Sequence, residues 1–270
     1  MVRQVRKDFP RMGANKIRIH LQPKFKSLGI ETGRDQFWAL LCENNLLVRR
    51  LRNRRKTTFS CHWLRKYPNL IRDFTPTGTN QLWVSDITYI EVGYGFVYLS
   101  LITDAYSRKI VGWNTVRDLG ADNALRALKG ALKTLPGKVN LIHHSDRGIQ
   151  YCSNNYVKLL HRHNISISMT ESGDPLENAV AEKVNGILKT EWFYNHPLTS
   201  WKEAVKYTTS AIKLYNTQRP HQSISYLTPD NVHCNEIKVE RKWKSYWQRE
   251  QDRDNLSILQ SEFVPDSFTQ

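Results

Sequence analysis

Leu82-Trp83-Val84-Ser85-Asp86-Ile87-Thr88-Tyr89-Ile90 is a run of β-branched and aromatic residues with one acid near its middle. Such residues fit a pleated, half-buried surface, so the run predicts a β-strand. On strand alternation Asp86 shares a face with Val84, Thr88 and Ile90, which predicts partial burial. Acids normally belong on surfaces. Asp86 is therefore either a strand acid hydrogen-bonded to backbone or part of a site.

Two more strands are expected C-terminal to this one, over 96–103 and 109–116, joined by turns at 93–95 and 104–107. A helix over 121–133 places Leu125, Leu128 and Leu132 on one face. A short apolar strand over 139–144 delivers Asp146 at its end. Ser153 is placed to cap a helix running to His163, and a fifth strand spans 165–169. Long helices are expected over 176–192 and 200–215. Three strands in a row, then alternating helices and strands, predict an α/β fold with a mixed five-stranded sheet flanked by helices.

The region before the strands reads differently. Of the chain's 40 basic and 25 acidic residues, 18 basic and 5 acidic fall within 1–75, a local excess of +13 against +2 for the remainder. That asymmetry points to phosphates. A helix carrying Ile17, Ile19 and Leu21 is expected to end near Pro23. A second, capped by Thr32, carries Phe37, Leu40, Leu41 and Leu46, with the turn between them near Gly29 and Gly33. Residues 1–47 thus read as a small all-α, helix-turn-helix-like DNA-binding region, with Arg34 among its basic residues. Residues 48–80 read as a basic linker in which Arg49, Arg50, Arg52, Arg54 and Arg55 can track a phosphate backbone. The core is placed at 81–232. A helical tail follows at 233–270, where Val239, Trp243 and Trp247 recur at helical spacing.

Some classes are disfavoured. Cys42, Cys61, Cys152 and Cys234 are widely spaced, with no pair in zinc-ligand spacing, and the pair His143–His144 lacks finger spacing. Free thiols in a reducing compartment are expected. No start resembles a signal peptide and no apolar run approaches membrane-spanning length, so a cytoplasmic, nucleoid-associated protein with no membrane partner is expected.

The acids carry the chemistry. Asp146 ends a strand in Ile142-His143-His144-Ser145-Asp146-Arg147-Gly148, a position where α/β sheets build sites, although Asp-Arg-Gly also reads as a turn. Glu171, Asp174, Glu177, Glu182 and Glu191 compete to be the third acid. Helical geometry places Asn178, Glu182, Asn185 and Lys189 on one polar stripe, opposite an apolar face of Ala181, Val184, Ile187 and Leu188. A solvated face with a Glu–Lys pair would look the same. Three converging carboxylates repel unless protonated or neutralised, and hard oxygen ligands favour Mg²⁺, with Mn²⁺ an alternative. Two such ions about 4 Å apart suit phosphodiester chemistry.

Trp83–Tyr89, His144-Ser145-Asp146-Arg147-Gly148-Ile149-Gln150-Tyr151 and Glu177-Asn178-Ala179-Val180-Ala181-Glu182 together resemble the integrase core of bacterial insertion-sequence transposases. The resemblance is strongest to the second-frame (OrfB) product of copy-out, paste-in elements. Thirty-five residues lie between Asp146 and Glu182, the interval of the superfamily's D,D-35-E signature, and Lys189 matches its added basic residue. Tyr215-Asn216-Thr217-Gln218-Arg219-Pro220-His221 and Tyr226-Leu227-Thr228-Pro229 resemble its C-terminal segment. Glu177 stands where Asp is usual, and Leu176 where an aromatic is common.

This resemblance implies an RNase H-like fold and a DDE mechanism in which Asp86, Asp146 and Glu182 hold two divalent ions. Water would cut a transposon end, and the freed 3′-hydroxyl would attack a second phosphodiester. It implies DNA contacts by Lys189 and Asn178, and by Arg147 and Gln150 unless these only stabilise their loop. It also implies a homo-oligomer on transposon-end and target DNA, and a fused first-reading-frame segment as partner. A non-catalytic DNA-binding protein and an RNase H-type nuclease remain the alternatives.

Overall fold

The computed structural model describes residues 1–48, 63–93, 95–118, 120–171, 175–194 and 196–239. Five strands form one mixed sheet: β1 (Leu82–Val92), β2 (Gly95–Asp104), β3 (Ile110–Val116), β4 (Ile142–Ser145) and β5 (Ser166–Met169). Their order is β3-β2-β1-β4-β5, the RNase H-like arrangement expected. β1 pairs antiparallel with β2 and parallel with β4, so it is the strand where sheet direction changes.

Both sheet faces are covered. On one, α4 (Ala121–Leu132), α5 (Ile149–Cys152) and α6 (Asn154–Arg162) bury Ala127, Leu128, Tyr156 and Leu160 with Trp83, Ile102 and Val111. α4 lies close because β3 offers Gly112, where a Cβ would collide with Ala127 O and with Ala131. On the other face, Ile90, Val97, Leu99 and Leu101 meet Val184, Ile187 and Leu188 of α7 (Ala179–Leu188) and Ala211, Ile212 and Tyr215 of α8 (Trp201–Thr217). The apolar face expected of α7 is thus the buried one. Thr199 and Ser200 close the start of α8 with Glu203 as a reciprocal cap. α9 (Pro229–Cys234) ends the described helices.

Three helices precede the sheet, α1 (Val2–Asp8), α2 (Ala14–Ser27) and α3 (Arg34–Glu43). They share a core with the α7 face: Phe9 meets Trp192 edge-on at 5.8 Å, and Trp192 Nε1 donates to Asp8 O. Three local expectations fail. α2 does not stop at Pro23 but runs through it, because Leu21 and Phe25 on either side are buried and packing outweighs the lost backbone donor. Gly33, not Thr32, occupies the N-cap of α3. Leu40 is exposed, leaving Phe37 and Leu41 as the buried pair.

The expected 176–192 helix is three pieces. A 3-10 turn spans Pro175–Asn178, α7 follows, and a π-helical turn spans Lys189–Phe193, closed by Tyr194 N donating to Lys189 O. The widened turn lets Glu191, Trp192 and Phe193 all be buried in succession. Arg49, Arg50, Arg52, Arg54 and Arg55, and the Val239–Trp247 stripe beyond Val239, lie outside the described residues.

Candidate active site

The β1–β4 register pairs Leu82 with Ile142, Trp83 with His143 and Val84 with His144. Two residues further along each strand come Asp86 and Asp146. Parallel neighbours are about 4.8 Å apart, so this register sets the two carboxylates side by side where β4 ends. Both are half-buried. Asp86 Oδ1 accepts from Ile87 N at 2.8 Å, and Oδ2 accepts from Asn185 Nδ2 at 2.6 Å. Asp146 Oδ1 accepts from Gly148 N at 2.9 Å. A Cβ at Gly148 would sit 2.9 Å from Asp146 Oδ1 and 3.0 Å from Gln150 Oε1, so glycine leaves both side chains where they are.

Electrostatics follow from this geometry. Burial, then the neighbouring charge of Asp146, push the Asp86 carboxyl up to about 7, against the hydrogen bonds from Asn185 and Ile87. Glu182 adds a weaker push, so its charge is felt at Asp86 from the first turn of α7, where it is exposed. Among the described residues no three acidic, His or Cys side chains are gathered tightly enough to hold an ion. The donor chemistry nevertheless fits a hard divalent cation. The groups present are carboxylate oxygens, and a cation there would offset both the burial and the repulsion that raise Asp86.

Lys189 opens the π-helical turn with its Nζ 3.8 Å from the Tyr89 ring centroid. Burial lowers its pKa, while the charges of Asp86 and Glu91 oppose that shift. Arg147 is half-buried on the loop after Asp146. Gln150 is buried in α5 with its Oε1 turned towards Gly148. Asn178 is also buried, and its Nδ2 donates to Ser85 O at 2.9 Å, tying the start of α7 to β1. Arg34 stands apart at the start of α3, exposed and paired with Asp35 at 2.8 Å.

Other acids and histidines find structural work. Glu177 is buried, accepting from Glu171 N and from Asn69 Nδ2. His143 and His144 are core residues held neutral, pushed down by burial to about 3 and about 4. His143 Nε2 meets Ser85 Oγ at 2.7 Å and Tyr156 Oη at 2.8 Å, and His144 Nδ1 meets Ser168 Oγ at 2.8 Å. Sequence reasoning set Asn185 on an outward stripe, yet it is 5% exposed and turned onto Asp86. Its place three residues after Glu182 was the available signal.

The integrase core domain model matches residues 76–175, and a second integrase core domain model matches residues 163–229. The insertion element IS600 uncharacterized 31 kDa protein of Shigella sonnei is 35% identical over 211 residues, covering 77% of this chain and 78% of that protein. The putative transposase for insertion sequence element IS986/IS6110 of Mycobacterium tuberculosis H37Ra is 31% identical over 224 residues, covering 80% and 79%. Among solved structures, the simian T-cell lymphotropic virus intasome in complex with PP2A regulatory subunit B56 gamma contains a chain that superposes with a TM-score of 0.52. That match covers 91% of this chain and 79% of the other at 15% identity, and it bears on the fold alone.

Proposed function

The chain belongs to the insertion-sequence transposases of the DDE transposase/integrase superfamily, and on that premise we propose that Asp86, Asp146 and Glu182 are its catalytic acids. It is a DDE-type polynucleotidyl transferase acting on DNA in transposition. The observation that carries the site assignment is the β1–β4 register with the raised Asp86 carboxyl: two acids held together at a cost that a divalent cation would offset.

Asp86, Asp146 and Glu182 would hold two Mg²⁺ ions, with Mn²⁺ as an alternative. Bound there, the ions supply charge neutralisation and Lewis-acid activation for in-line displacement at phosphorus. The chain's own part is positioning. Ile87 N and Asn185 Nδ2 fix the Asp86 rotamer, and Gly148 N fixes that of Asp146. Lys189, beside Asp86, takes a phosphate near the scissile bond. Arg147 lies on the loop carrying Asp146 and extends that contact. Asn178 and Gln150, both buried, act on DNA through the loops they brace. Arg34 and the basic residues 49–55 carry the flanking duplex. In the first step water attacks the phosphodiester at an element end and the 3′-oxygen leaves. In the second, that 3′-hydroxyl attacks a target phosphodiester, one P–O bond replacing another. The active form is a homo-oligomer on DNA, with a first-frame segment as partner, at the nucleoid. No helix among the described residues is long and apolar enough to cross a membrane.

The test is cleavage and joining of labelled DNA bearing the element's own ends, with and without the first-frame segment fused. The wild type is expected to give joined strands in Mg²⁺ and none in EDTA. Glu182→Gln should lose at least about 10³-fold. Cleavage without joining would favour a nuclease. Binding without cleavage, even in the fusion, would sink the catalytic reading.

A further inference from the structure

Five residues past Asp146, across the Gly148 turn, α5 carries Tyr151. Its side chain is 3% exposed, and its ring packs edge-on against Tyr156 at 5.5 Å and beside His143 at 6.3 Å. The neighbouring hydroxyls have partners: Ser85 Oγ and Tyr156 Oη lie 2.7 and 2.8 Å from His143 Nε2. The Tyr151 hydroxyl is buried and has no hydrogen-bond partner among the described residues. A phenylalanine would pack the same ring without burying an unmatched polar atom, so the hydroxyl calls for a reason. Its surroundings suggest one. Burial raises its pKa well above the ordinary value, and the charges of Asp146 and then Asp86 raise it further. The phenol is therefore a neutral donor within the field of both carboxylates.

We propose that Tyr151 is a positioning residue whose hydroxyl donates to the Asp146 carboxylate when the acid pair takes up a divalent ion. This rests on the metal-binding reading of Asp86 and Asp146. A carboxylate ligand presents one oxygen to the ion and needs its other lone pairs held, and Gly148 N already takes Oδ1 from one side. Tyr151 is buried with its hydroxyl unpartnered, so on this proposal it adds a donor to the Asp146 carboxylate from within the core. It does not touch DNA or the reacting atoms.

The test is the Mg²⁺ dependence of thermal melting, which needs neither DNA nor turnover, since an ion that binds the folded chain raises Tm with its concentration. Wild type, Tyr151→Phe and Asp146→Asn would be titrated with Mg²⁺ from EDTA. The expected result is that Tyr151→Phe melts at or above the wild-type temperature in EDTA, yet needs about tenfold more Mg²⁺ for the half-maximal rise, while Asp146→Asn shows no rise. Strand joining by Tyr151→Phe should fall at limiting Mg²⁺ and recover at saturating Mg²⁺. An unchanged Mg²⁺ midpoint overturns the proposal while leaving the metal site standing. A Tyr151→Phe chain that melts early in EDTA also overturns it, by assigning the hydroxyl to the core. A wild type with no Mg²⁺-dependent rise overturns both readings.

Discussion

Two charge clusters meet α7 and the turn that follows it, and they are built on opposite plans. At Glu191, on the π-helical turn, one buried carboxylate receives Arg219 Nε at 2.8 Å and Arg219 Nη2 at 2.6 Å, with Lys16 Nζ of α2 at 3.2 Å. Burial alone would raise Glu191. The hydrogen bonds and charge of Arg219, then those of Lys16, reverse this and hold it below the ordinary carboxylate range. At Asp86 the carboxylate receives an amide and a backbone N–H but faces another acid, and its pKa goes up to about 7. The first cluster matches its carboxylate with cations, one of them from α2. The second sets like charges together, which is the arrangement the proposed metal site calls for.

Breaking the matched cluster should produce the largest change in stability. Arg219 is fully buried, and Arg219→Met leaves Glu191 with Lys16 alone. A cost of about 3–5 kcal/mol is expected, a fall in Tm of roughly 10 °C, read by calorimetry in EDTA. Lys16 supplies the contrast. Burial and the like charge of Arg219 pull its pKa down despite Glu191, so two cations compete for one carboxylate. Lys16→Met should cost less than about 1 kcal/mol. Equal losses from the two variants would refute the division of roles drawn here.

The pH dependence of stability sharpens the comparison, because the clusters push in opposite directions. Asp86 has a folded pKa raised from 3.8 to about 7, so the folded chain holds a proton there that the unfolded chain has lost. Its contribution to stability therefore declines as pH rises through that window. Glu191 is depressed, so its contribution is present above the ordinary carboxylate pKa and lost as pH falls through the folded value. In EDTA, Asp86→Asn should remove a decline of about 1–2 kcal/mol between pH 5 and pH 8, once solvent screening of a half-buried group is allowed for. Glu191→Gln should leave that decline in place. Denaturant midpoints at several pH values decide it. An Asp86→Asn chain with the wild-type slope would mean that neither burial nor Asp146 raises the Asp86 carboxyl in the folded chain.

These clusters also mark what could be read in advance. The alternation around Asp86 found β1 and its burial, and the apolar face of α7 was legible because packing repeats at the helical period. The pairing of Glu191 with Arg219 spans 28 residues, so no local period reveals it. The run Tyr215–His221 was legible only as a resemblance. Its physical work is to bury Arg219, to bond Tyr215 Oη to His221 Nε2 at 2.8 Å and to let Asn216 pair with both backbone groups of Ile110. The π-helical turn was invisible because its residues have ordinary helical composition. Pro23 misled because local propensity yields to burial. Asn185 misled because a helical wheel gives a direction but not the border between core and solvent.

The smallest expected change in stability tests whether geometry in the unmatched cluster matters more than its net charge. Gly148 has φ −62 and ψ 144, open to any residue, so Gly148→Ala introduces no backbone strain. Its new Cβ comes closest to two side-chain oxygens, Asp146 Oδ1 at 2.9 Å and Gln150 Oε1 at 3.0 Å, which can swing away. Tm should therefore change by no more than about 2 °C, corresponding to less than roughly 1 kcal/mol. Swinging away, however, moves the Asp146 carboxylate off the position set by Gly148 N. Displacement of a catalytic group by a fraction of an ångström to 1 Å costs about 10- to 100-fold in rate, so strand joining should fall by that factor with all three acids intact. Wild-type joining by Gly148→Ala would mean that the Asp146 rotamer is set elsewhere, and that charge alone distinguishes this cluster from the one around Glu191.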